Sequence, residues 1–285
     1  FIFCCDANFG IFFERDLRLG RKLKELALTK KFPQTFQQSW AKNSSEKIIP
    51  IAKELQEGGL LTAVTLSVQS LDENTLDIIK RENMKFDKFS NLSNQFRQQG
   101  LPTYSEFIRG LPGETLETFK RGLEQLIGES KIDTIYIFHC IILPNAPMNI
   151  PEYREKYKIK TVRSPIYLGH SSVNNRTMEE YENVVISTSS ATEEDIQEMY
   201  LYSWVILSMH SFGILEYVSR YYKKAHGISF MKFYEEVIEF CKTEKSIFSE
   251  EYEKVVQYTN DGCNGKGWDH YDSNLGEIFW PIEEA

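Results

Sequence analysis

The chain has 285 residues, enough for one large domain or for one domain with a smaller appendage, and its 41% hydrophobic and 13% aromatic content is typical of a packed globular protein rather than of disorder. It contains no apolar run of about 18 residues, so the sequence predicts no membrane span, and the apolar start FIF lacks the length and basic flank of a signal peptide. A net charge of −8 without a dense basic cluster argues against a nucleic-acid module that tracks the phosphate backbone, but it does not exclude RNA as a substrate.

The predicted elements begin as alternating short strands and helices. The strand FIFCCD precedes a helix over 14–30, in which Leu17, Leu19, Leu23, Leu26 and Leu28 fall largely on one side. A second strand, QTFQQSWAK, precedes a helix over 46–57 that ends at two glycines. The run LTAVTLSVQS is a third strand.

The third predicted strand leads directly into a helix, because Ser70 and Glu73 have the spacing of a capping box. LPTYSEFIRGLPGET predicts a fourth strand that turns into the helix ETLETFKRGLEQLIG, and IDTIYIFHCIILPN predicts a fifth strand. Strands that alternate with helices in this way are typical of βα units with a parallel sheet. The pattern leaves open a doubly wound sheet or a (β/α) barrel.

The rhythm changes after about residue 150. Residues 150–190 contain loops and one predicted strand pair, IKTVRSPIYL and ENVVISTSS. Thr192 and Asp195 have capping-box spacing before one long predicted helix, which is apolar nearly all round between Met199 and Val218 and is therefore expected to be buried. Helices over 228–243 and 249–259 follow, and then an irregular tail.

Ligands of parallel α/β folds bind at the carboxyl ends of the strands. The polar or flexible residues at the predicted strand ends suit a small molecule with amine, carboxylate and hydroxyl groups, and they are Asp6, Asn8, Lys42, Asn43, Ser67, Gln69, Ser70, Glu106, Arg109, Gly110, His139 and Leu143.

Each of these features also has a purely structural interpretation. SVQS is compatible with an ordinary buried strand, GLPGET with a tight turn in which Glu114 complements a helix dipole, and His139 with a hydrogen-bonded core histidine. An aromatic stripe is more often helix core than a cofactor site, and here it comprises Tyr200, Trp204, Phe212, Tyr217 and Tyr221. The co-location of several polar groups favours the functional interpretation.

The cysteines are few and scattered, which predicts reduced thiols in a cytoplasmic protein rather than a disulfide framework. They are Cys4, Cys5, Cys140, Cys241 and Cys263, and none of them forms CxxC or CxxxCxxC. Cys263 and His270 in CNGKGWDHYD are a weak candidate pair of metal ligands, because a metal site needs further donors.

Four segments carry a resemblance to a known family. DANFGIFFERD, VTLSVQSLDENTLDIIKREN, EFIRGLPGETLETF and IILPNAPMNIPEY, in this order, resemble the later part of a radical S-adenosylmethionine enzyme, in the branch that often carries an N-terminal cobalamin-binding domain. The resemblance spans about residues 1–190. EFIRGLPGE is similar to the family motif GxIxGxxxE at Ile108, Gly110 and Glu114, with Glu106 in place of the first glycine.

The resemblance implies a partial (β/α)6 barrel, of the TIM type, that lacks its first strand. It divides the chain into a partial barrel over 1–148, a connecting segment over 149–190 and a C-terminal helical domain on the substrate side over 191–285. It implies S-adenosylmethionine and a 4Fe-4S cluster as cofactors, with cobalamin as an optional third. The implied partners are an electron donor such as flavodoxin or ferredoxin and a small-molecule or peptide substrate. No membrane partner is implied.

By the same resemblance, Asp6 and Asn8 approach the methionine amino group of S-adenosylmethionine. Ser67 and Gln69 face its carboxylate or ribose. Ile108 and Gly110 back its adenine, and the backbone near Ile142 and Leu143 reads the adenine edge. Asn43 and Glu106 complete the candidate cofactor-binding set, no catalytic residue is assigned, and Arg81 in KREN resembles a residue that stabilises this region.

The family binds its cluster through CxxxCxxC in the loop after the first strand, and this sequence has no such motif. We therefore expect Phe1 to begin the second strand, the cluster loop to precede it in the full-length enzyme, and the chain as given to be inactive. Two alternatives remain open: a non-catalytic binding scaffold or partner subunit derived from a barrel, and, less favoured because only His139 stands at a strand end, a metal-dependent hydrolase or lyase on a TIM barrel.

Overall fold

The computed structural model describes residues 1–41, 46–61, 63–167, 169–174 and 178–284. The chain forms two compact units that alternate along the sequence. The first unit comprises Phe1–Gln69, Asn83–Glu106 and Glu129–Ile135, and the second comprises Ser70–Glu82, Phe107–Gly128 and Tyr136–Ala285. The division at 148/149 and 190/191 that the family resemblance implies stays a prediction.

The helices, in chain order, are α1 Phe13–Lys30, α2 Ile49–Glu57, α3 Glu73–Ile78, α4 Phe86–Gln98, α5 Leu116–Glu124, α6 Pro151–Lys156, α7 Glu193–Trp204, α8 Glu216–His226, α9 Phe230–Thr243 and α10 Ile247–Cys263. The strands are β1 Ile2–Phe9, β2 Phe36–Trp40, β3 Val64–Thr65, β4 Thr103–Arg109, β5 Thr134–His139, β6 Lys160–Pro165, β7 Tyr181–Ser187, β8 Asp269–Tyr271 and β9 Phe279–Pro281. Short 3₁₀ turns cover Glu46–Ile48, Pro147–Asn149 and Ile282–Glu284, and π-helical turns cover Gln125–Glu129 and Val205–Ser211.

In the first unit, β1 and β2 are parallel neighbours, as the βα pattern predicts, and α1 packs on α2. The predicted leucine face of α1 is wrong in part, because Leu19 and Leu28 are exposed. The buried face instead includes Leu17, Gly20, Leu23 and Ala27. These positions recur at helical spacing, and the two small residues let the neighbouring helix approach closely.

The third predicted strand is much shorter than expected. Regular pairing with β4 is parallel and covers only Val64 and Thr65. Beyond them single backbone hydrogen bonds continue, from Leu66 to the Tyr104 carbonyl at 2.8 Å and from Gln69 to the Glu106 carbonyl at 3.0 Å. Gln69 has a φ of 62°, a left-handed conformation that interrupts a regular strand.

In the second unit, the predicted capping box of α7 is confirmed. The Thr192 hydroxyl accepts from the Asp195 N–H at 3.1 Å, and the Asp195 carboxylate accepts from the Thr192 N–H at 2.8 Å. The predicted box at Ser70 is wrong, because α3 begins three residues later and Asp72 caps it by accepting from the Thr75 N–H at 3.0 Å.

The single long helix expected after Thr192 is also wrong. Regular α-helix ends at Trp204, a π-helical turn follows, and Gly213 adopts a φ of 89° before α8 begins. A left-handed residue breaks the helical hydrogen-bond ladder. Met199, Tyr200 and the run from Tyr202 to His210 are buried. Beyond them, the stretch that was predicted to be buried is exposed at Phe212, Ile214, Tyr217 and Val218.

The predicted strand pair after residue 150 is confirmed as the antiparallel pair β6–β7. The tail that was expected to be irregular contains a second antiparallel pair, β8–β9. Parallel strands that alternate with helices place the protein in the α/β class. Among the described residues, no helix combines the length and apolarity needed to cross a membrane.

Candidate functional site

The predicted ligand residues of β1 contact each other and a neighbouring arginine. The Asp6 carboxylate accepts from the Asn8 N–H at 3.0 Å and from Arg15 at 2.7 Å. These two interactions, in that order, hold the pKa of Asp6 below its usual value, so the carboxylate is ionised at neutral pH. Asn43, the predicted residue after β2, lies outside the described residues.

Three other predicted residues come together in the first unit, at the ends of β3 and β4. The Ser67 hydroxyl donates to the Glu106 carboxylate at 2.5 Å, and the Gln69 N–H donates to the Glu106 carbonyl at 3.0 Å. All three side chains are half-buried. The cluster therefore combines a carboxylate, a hydroxyl and an amide, which together suit an ammonium group or ribose hydroxyls.

The remaining predicted residues lie in the second unit, and most of their neighbours are apolar. Ile108 packs against a core cluster that includes Leu111, Cys140 and Val185. Gly110 has a φ of 82° and lies against Val185, so a side chain there would be strained. Leu143 is 61% exposed.

Glu114, the glutamate of GLPGET, is fully buried and accepts from the Thr118 hydroxyl at 2.9 Å. Burial raises the pKa of Glu114 to about 7. Glu114 directly precedes Thr115, the N-cap of α5, so its position is compatible with the interpretation as a partner of the helix dipole.

Arg109 is the centre of a polar network that sequence reasoning did not assemble. Its guanidinium is 2% exposed, forms an ion pair with Glu283 at 2.5 Å, and donates to Ser203 at 3.0 Å. It also lies over the Tyr200 ring at 3.3 Å from the ring centre. The β-strand places the arginine at its carboxyl end, and α7 supplies the serine and the tyrosine.

His139 belongs to this network, which supports its interpretation as a hydrogen-bonded core histidine. Its Nδ1 lies 3.2 Å from Arg109, and its ring packs on Tyr200 and Trp268 at centroid distances of 5.3 and 4.8 Å. Burial, and then the charge of Arg109, lowers the pKa of His139 well below its usual value. The imidazole is therefore neutral and accepts from the guanidinium.

A cavity of about 340 Å³ opens beside this network, entirely within the second unit. β5, the β6–β7 hairpin, α7 and the β8–β9 hairpin all contribute to its walls. Its volume lies within the range of small-molecule sites. The aromatic stripe on the helices is divided, since Tyr200 and Trp204 are buried while Phe212, Tyr217 and Tyr221 are exposed.

The cavity has an acidic rim. Glu182, Asp269, Glu283 and Glu284 all line it. Burial, and then the neighbouring carboxylates Glu283 and Glu182, raises the pKa of Asp269 to about 7, and burial raises that of Glu182. The sequence signal that could have predicted this acidic cavity lies in the C-terminal tail, where WDHYD and FWPIEE combine aromatic and acidic residues. The strands of the tail are too short to show a clear hydrophobic periodicity.

Among the described residues, no group of three His, Cys, Asp or Glu side chains is arranged to hold a metal ion. The pair Cys263 and His270 therefore lacks the further ligands that a metal site needs. Burial raises the pKa of Cys263 to about 11, and the His270 ring stacks on Tyr258 at 4.5 Å. Within the described ranges, no side-chain cluster favours the metal-dependent hydrolase alternative.

Comparison with known proteins identifies the class that this chain resembles: cobalamin-dependent radical S-adenosylmethionine methyltransferases. The chain is 32% identical over 234 residues to the cobalamin-dependent radical SAM methyltransferase TokK of Streptomyces tokunonensis, covering 82% of this chain and 34% of that protein. It is 29% identical over 239 residues to 2-(S-pantetheinyl)-carbapenam-3-carboxylate methyltransferase of Streptantibioticus cattleyicolor, covering 84% of this chain and 35% of that protein. The resemblance inferred from the sequence is confirmed.

The chain spans about a third of the length of these curated relatives. No model of a protein family matches it. Among solved structures, the radical S-adenosylmethionine methyltransferase TsrM of Kitasatospora setae aligns with a TM-score of 0.42 and 18% identity, over 62% of this chain and 33% of that one. This backbone similarity is too low to support an argument about the fold.

Proposed function

We propose that the chain is part of a cobalamin-dependent radical S-adenosylmethionine methyltransferase, a longer enzyme that transfers a methyl group from S-adenosylmethionine to a small molecule or peptide. The observation that carries this proposal is the 32% identity, over 234 residues, to a methyltransferase of that kind. The order of the four motif segments agrees with it. The longer protein would need an electron donor of the flavodoxin or ferredoxin type, and its scattered free cysteines suit the cytoplasm.

For the architecture, we propose that the first five strands belong to a partial (β/α)6 barrel lacking its first strand. The parallel pairs β1–β2 and β3–β4, each joined through helices, support it. The C-terminal helices of 191–285 would then form the substrate side.

For the cofactor site, we propose that S-adenosylmethionine contacts the predicted strand-end residues. The ionised Asp6 carboxylate with Asn8, and the cluster of Ser67, Gln69 and Glu106, have the donor and acceptor chemistry that its ammonium and hydroxyl groups require. The contacts of its adenine with Ile108, Gly110 and the backbone at Leu143, and the role of Asn43, stay predictions from the sequence resemblance. S-Adenosylmethionine supplies the methyl group and, on reductive cleavage, a 5′-deoxyadenosyl radical.

The cysteines of this chain do not fit a 4Fe-4S cluster. Cys4 and Cys5 are adjacent in β1, so their side chains point to opposite faces of the strand. Burial raises the pKa of Cys140 to about 12 and that of Cys263 to about 11, whereas a cluster ligand must be a thiolate. We therefore assign no residue of this chain as a ligand of the cluster.

The test is to purify the complete protein that the gene encodes, under anaerobic conditions, and to reconstitute it with iron, sulfide and cobalamin. On reduction we expect S-adenosylmethionine to be consumed, with 5′-deoxyadenosine and S-adenosylhomocysteine as products. Omission of cobalamin is the matched control and should suppress methyl transfer. If S-adenosylmethionine is not consumed by the reconstituted protein, the proposal is wrong.

The cofactor site has its own test. The variant Glu106→Gln should weaken S-adenosylmethionine binding by the complete protein, because it removes the charge that faces Ser67. Glu117→Gln, an exposed carboxylate on α5, is the control and should bind as the wild type does. Equal binding by E106Q and wild type would remove Glu106 from the site.

A further inference from the structure

Among the described residues, the cavity of the second unit has more acidic side chains than cationic side chains to balance them. Glu283 is paired with Arg109 at 2.5 Å, and Glu284 is paired with His170 at 2.7 Å. Within the described part of the chain, neither Glu182 nor Asp269 has a side-chain hydrogen bond or an ion pair, although both line the cavity. Unpaired carboxylates in a half-buried wall are costly, and a bound cation would relieve that cost.

The arginine of the cavity does not offset this excess. Arg109 is engaged by Glu283, by Ser203 and by the Ile137 carbonyl, and its flat face is covered by Tyr200. An anionic ligand would have to displace the Glu283 carboxylate from a buried ion pair. The electrostatic potential that a ligand meets in the cavity is therefore negative and comes from the carboxylates.

The rest of the wall suits an apolar body. Phe138, Tyr167 and Trp268 line the same cavity, and Tyr167 stacks on Phe279 with ring centres 4.6 Å apart. Aromatic faces attract organic cations, most strongly where water is excluded. Trp268 is buried, and its indole N–H has no acceptor among the described residues.

A metal ion does not fit this wall as well as an organic cation does. In the described ranges, no three side chains of the ligating types converge as metal ligands. An ammonium group needs no such convergence, since one or two carboxylates and an aromatic face hold it.

We propose that this cavity binds an organic cation: a protonated amine, facing Glu182 and Asp269, on an aromatic or alkyl body that packs against Phe138, Tyr167 and Trp268. The site stands on the geometry of the cavity and does not depend on the methyl-transfer activity proposed above.

The pH dependence of binding follows from the same groups. The carboxyl of Asp269 faces Glu182, Glu283 and Glu284, with His170 as the nearby group of opposite influence, and its pKa is raised to about 7. A bound cation favours the ionised carboxylate, so binding should release protons near neutral pH. The affinity for an amine should therefore be higher at pH 8 than at pH 6.

The experiment uses three probes of similar size on the full chain: phenethylamine as the cation, 2-phenylethanol as the neutral analogue and 3-phenylpropionate as the anion. Binding is measured by calorimetry, with tryptophan fluorescence as a second readout. We expect phenethylamine to bind at least about tenfold more tightly than either other probe, a difference of about 1.4 kcal/mol. An equal or tighter affinity for the anion, or no detectable binding of the amine at millimolar concentration, overturns the proposal.

Variants locate the site. E182Q/D269N should lose the preference for the amine and its pH dependence, and it should remain folded because both substitutions remove unpaired charge. Glu194→Gln and Glu198→Gln, in a different cavity of the same unit, are the controls and should bind the amine as the wild type does. An unchanged preference in folded E182Q/D269N, checked by circular dichroism, would overturn the assignment to these two residues.

Discussion

One ion pair of the first unit and one of the second differ sharply in their exposure to solvent. In the first unit the ion pair between Lys22 and Glu25 is exposed, with 59% and 57% of the two side chains accessible. In the second unit Arg109 and Glu283 are 2% and 11% accessible. The difference shows where an ion pair matters for stability. A buried ion must keep its partner, whereas water replaces a lost partner at the surface.

The units also differ in how their helices begin. In the described part of the first unit, α1, α2 and α4 have no side-chain hydrogen bond at the N-cap. In the second unit most helices do, through Asp72, Thr115, Thr192, Ser229 and Ser246. In the second unit, therefore, local sequence determines more strongly where the helices begin.

The largest expected effect tests the charge comparison. Arg109→Met should lower the free energy of unfolding by about 3–5 kcal/mol, because it leaves Glu283 buried without its partner. Lys22→Met, which breaks an exposed ion pair in the first unit, should cause no measurable loss. Both are measured by denaturant unfolding, and R109M/E283L should recover most of the stability, since it removes both charges. A stable R109M would show that the buried pair is not needed.

The second prediction concerns pH. Glu114 has its pKa raised to about 7 by burial, so its stabilising contribution is complete below its unfolded-state pKa of about 4.5 and is lost as the pH rises through 7. The free energy of unfolding of the wild type should fall by roughly 2–3 kcal/mol between pH 4 and pH 8 because of this one group, and Glu114→Gln should remove that part of the fall.

The first unit supplies the contrasting carboxylate. Lys24, and more weakly Arg21, lowers the pKa of Glu54, so its contribution is present above the unfolded-state pKa and is lost as the pH falls. Glu54→Gln should produce a small loss at pH 7 and none at low pH. Unfolding free energies of both variants across this pH range give the two slopes, and slopes of the same sign would contradict the comparison.

The third prediction compares two helical glycines. A Cβ at Gly262 would overlap the ring of Trp268, so Gly262→Ala should destabilise the second unit by about 1–3 kcal/mol. A Cβ at Gly20 would lie 3.7 Å from both Ile51 and Glu54, an ordinary contact, so Gly20→Ala should stabilise by about 0.5–1 kcal/mol. Thermal unfolding measures both, and effects of the same sign would contradict the packing difference.

The smallest effect tests the helix starts. Thr192→Ala removes the hydroxyl that accepts from the Asp195 N–H and should cost about 1 kcal/mol. Lys85→Ala at the start of α4 is the control, because that position has no side-chain cap, and it should leave the unfolding free energy unchanged. If the two variants lose equal stability, the capping box is not what stabilises the start of α7.

Much of the local structure could be predicted from the sequence, and so could the family resemblance. The failures have two causes. The helix break at Gly213 and the interruption of the strand at Gln69 follow from left-handed backbone conformations that hydrophobic periodicity does not reveal. The leucines of α1 that face solvent depend on which distant segments pack against the helix. Hydrophobic periodicity predicts that a face will be apolar, but it does not determine what will cover that face.

The sequence by itself determined the capping box at Thr192, because the box depends on residues three positions apart. It also indicated the strand pair β6–β7 and the order of the motif segments, because residue types along the chain are enough to recognise them. Only the tertiary structure decided the partners of Arg109 and the acidic wall of the cavity. Glu182 and Asp269 come from hairpins far apart in the chain, and neither segment alone indicates that their carboxylates will line the same cavity. Burial then determined their pKa values, since desolvation depends on everything that packs around a group.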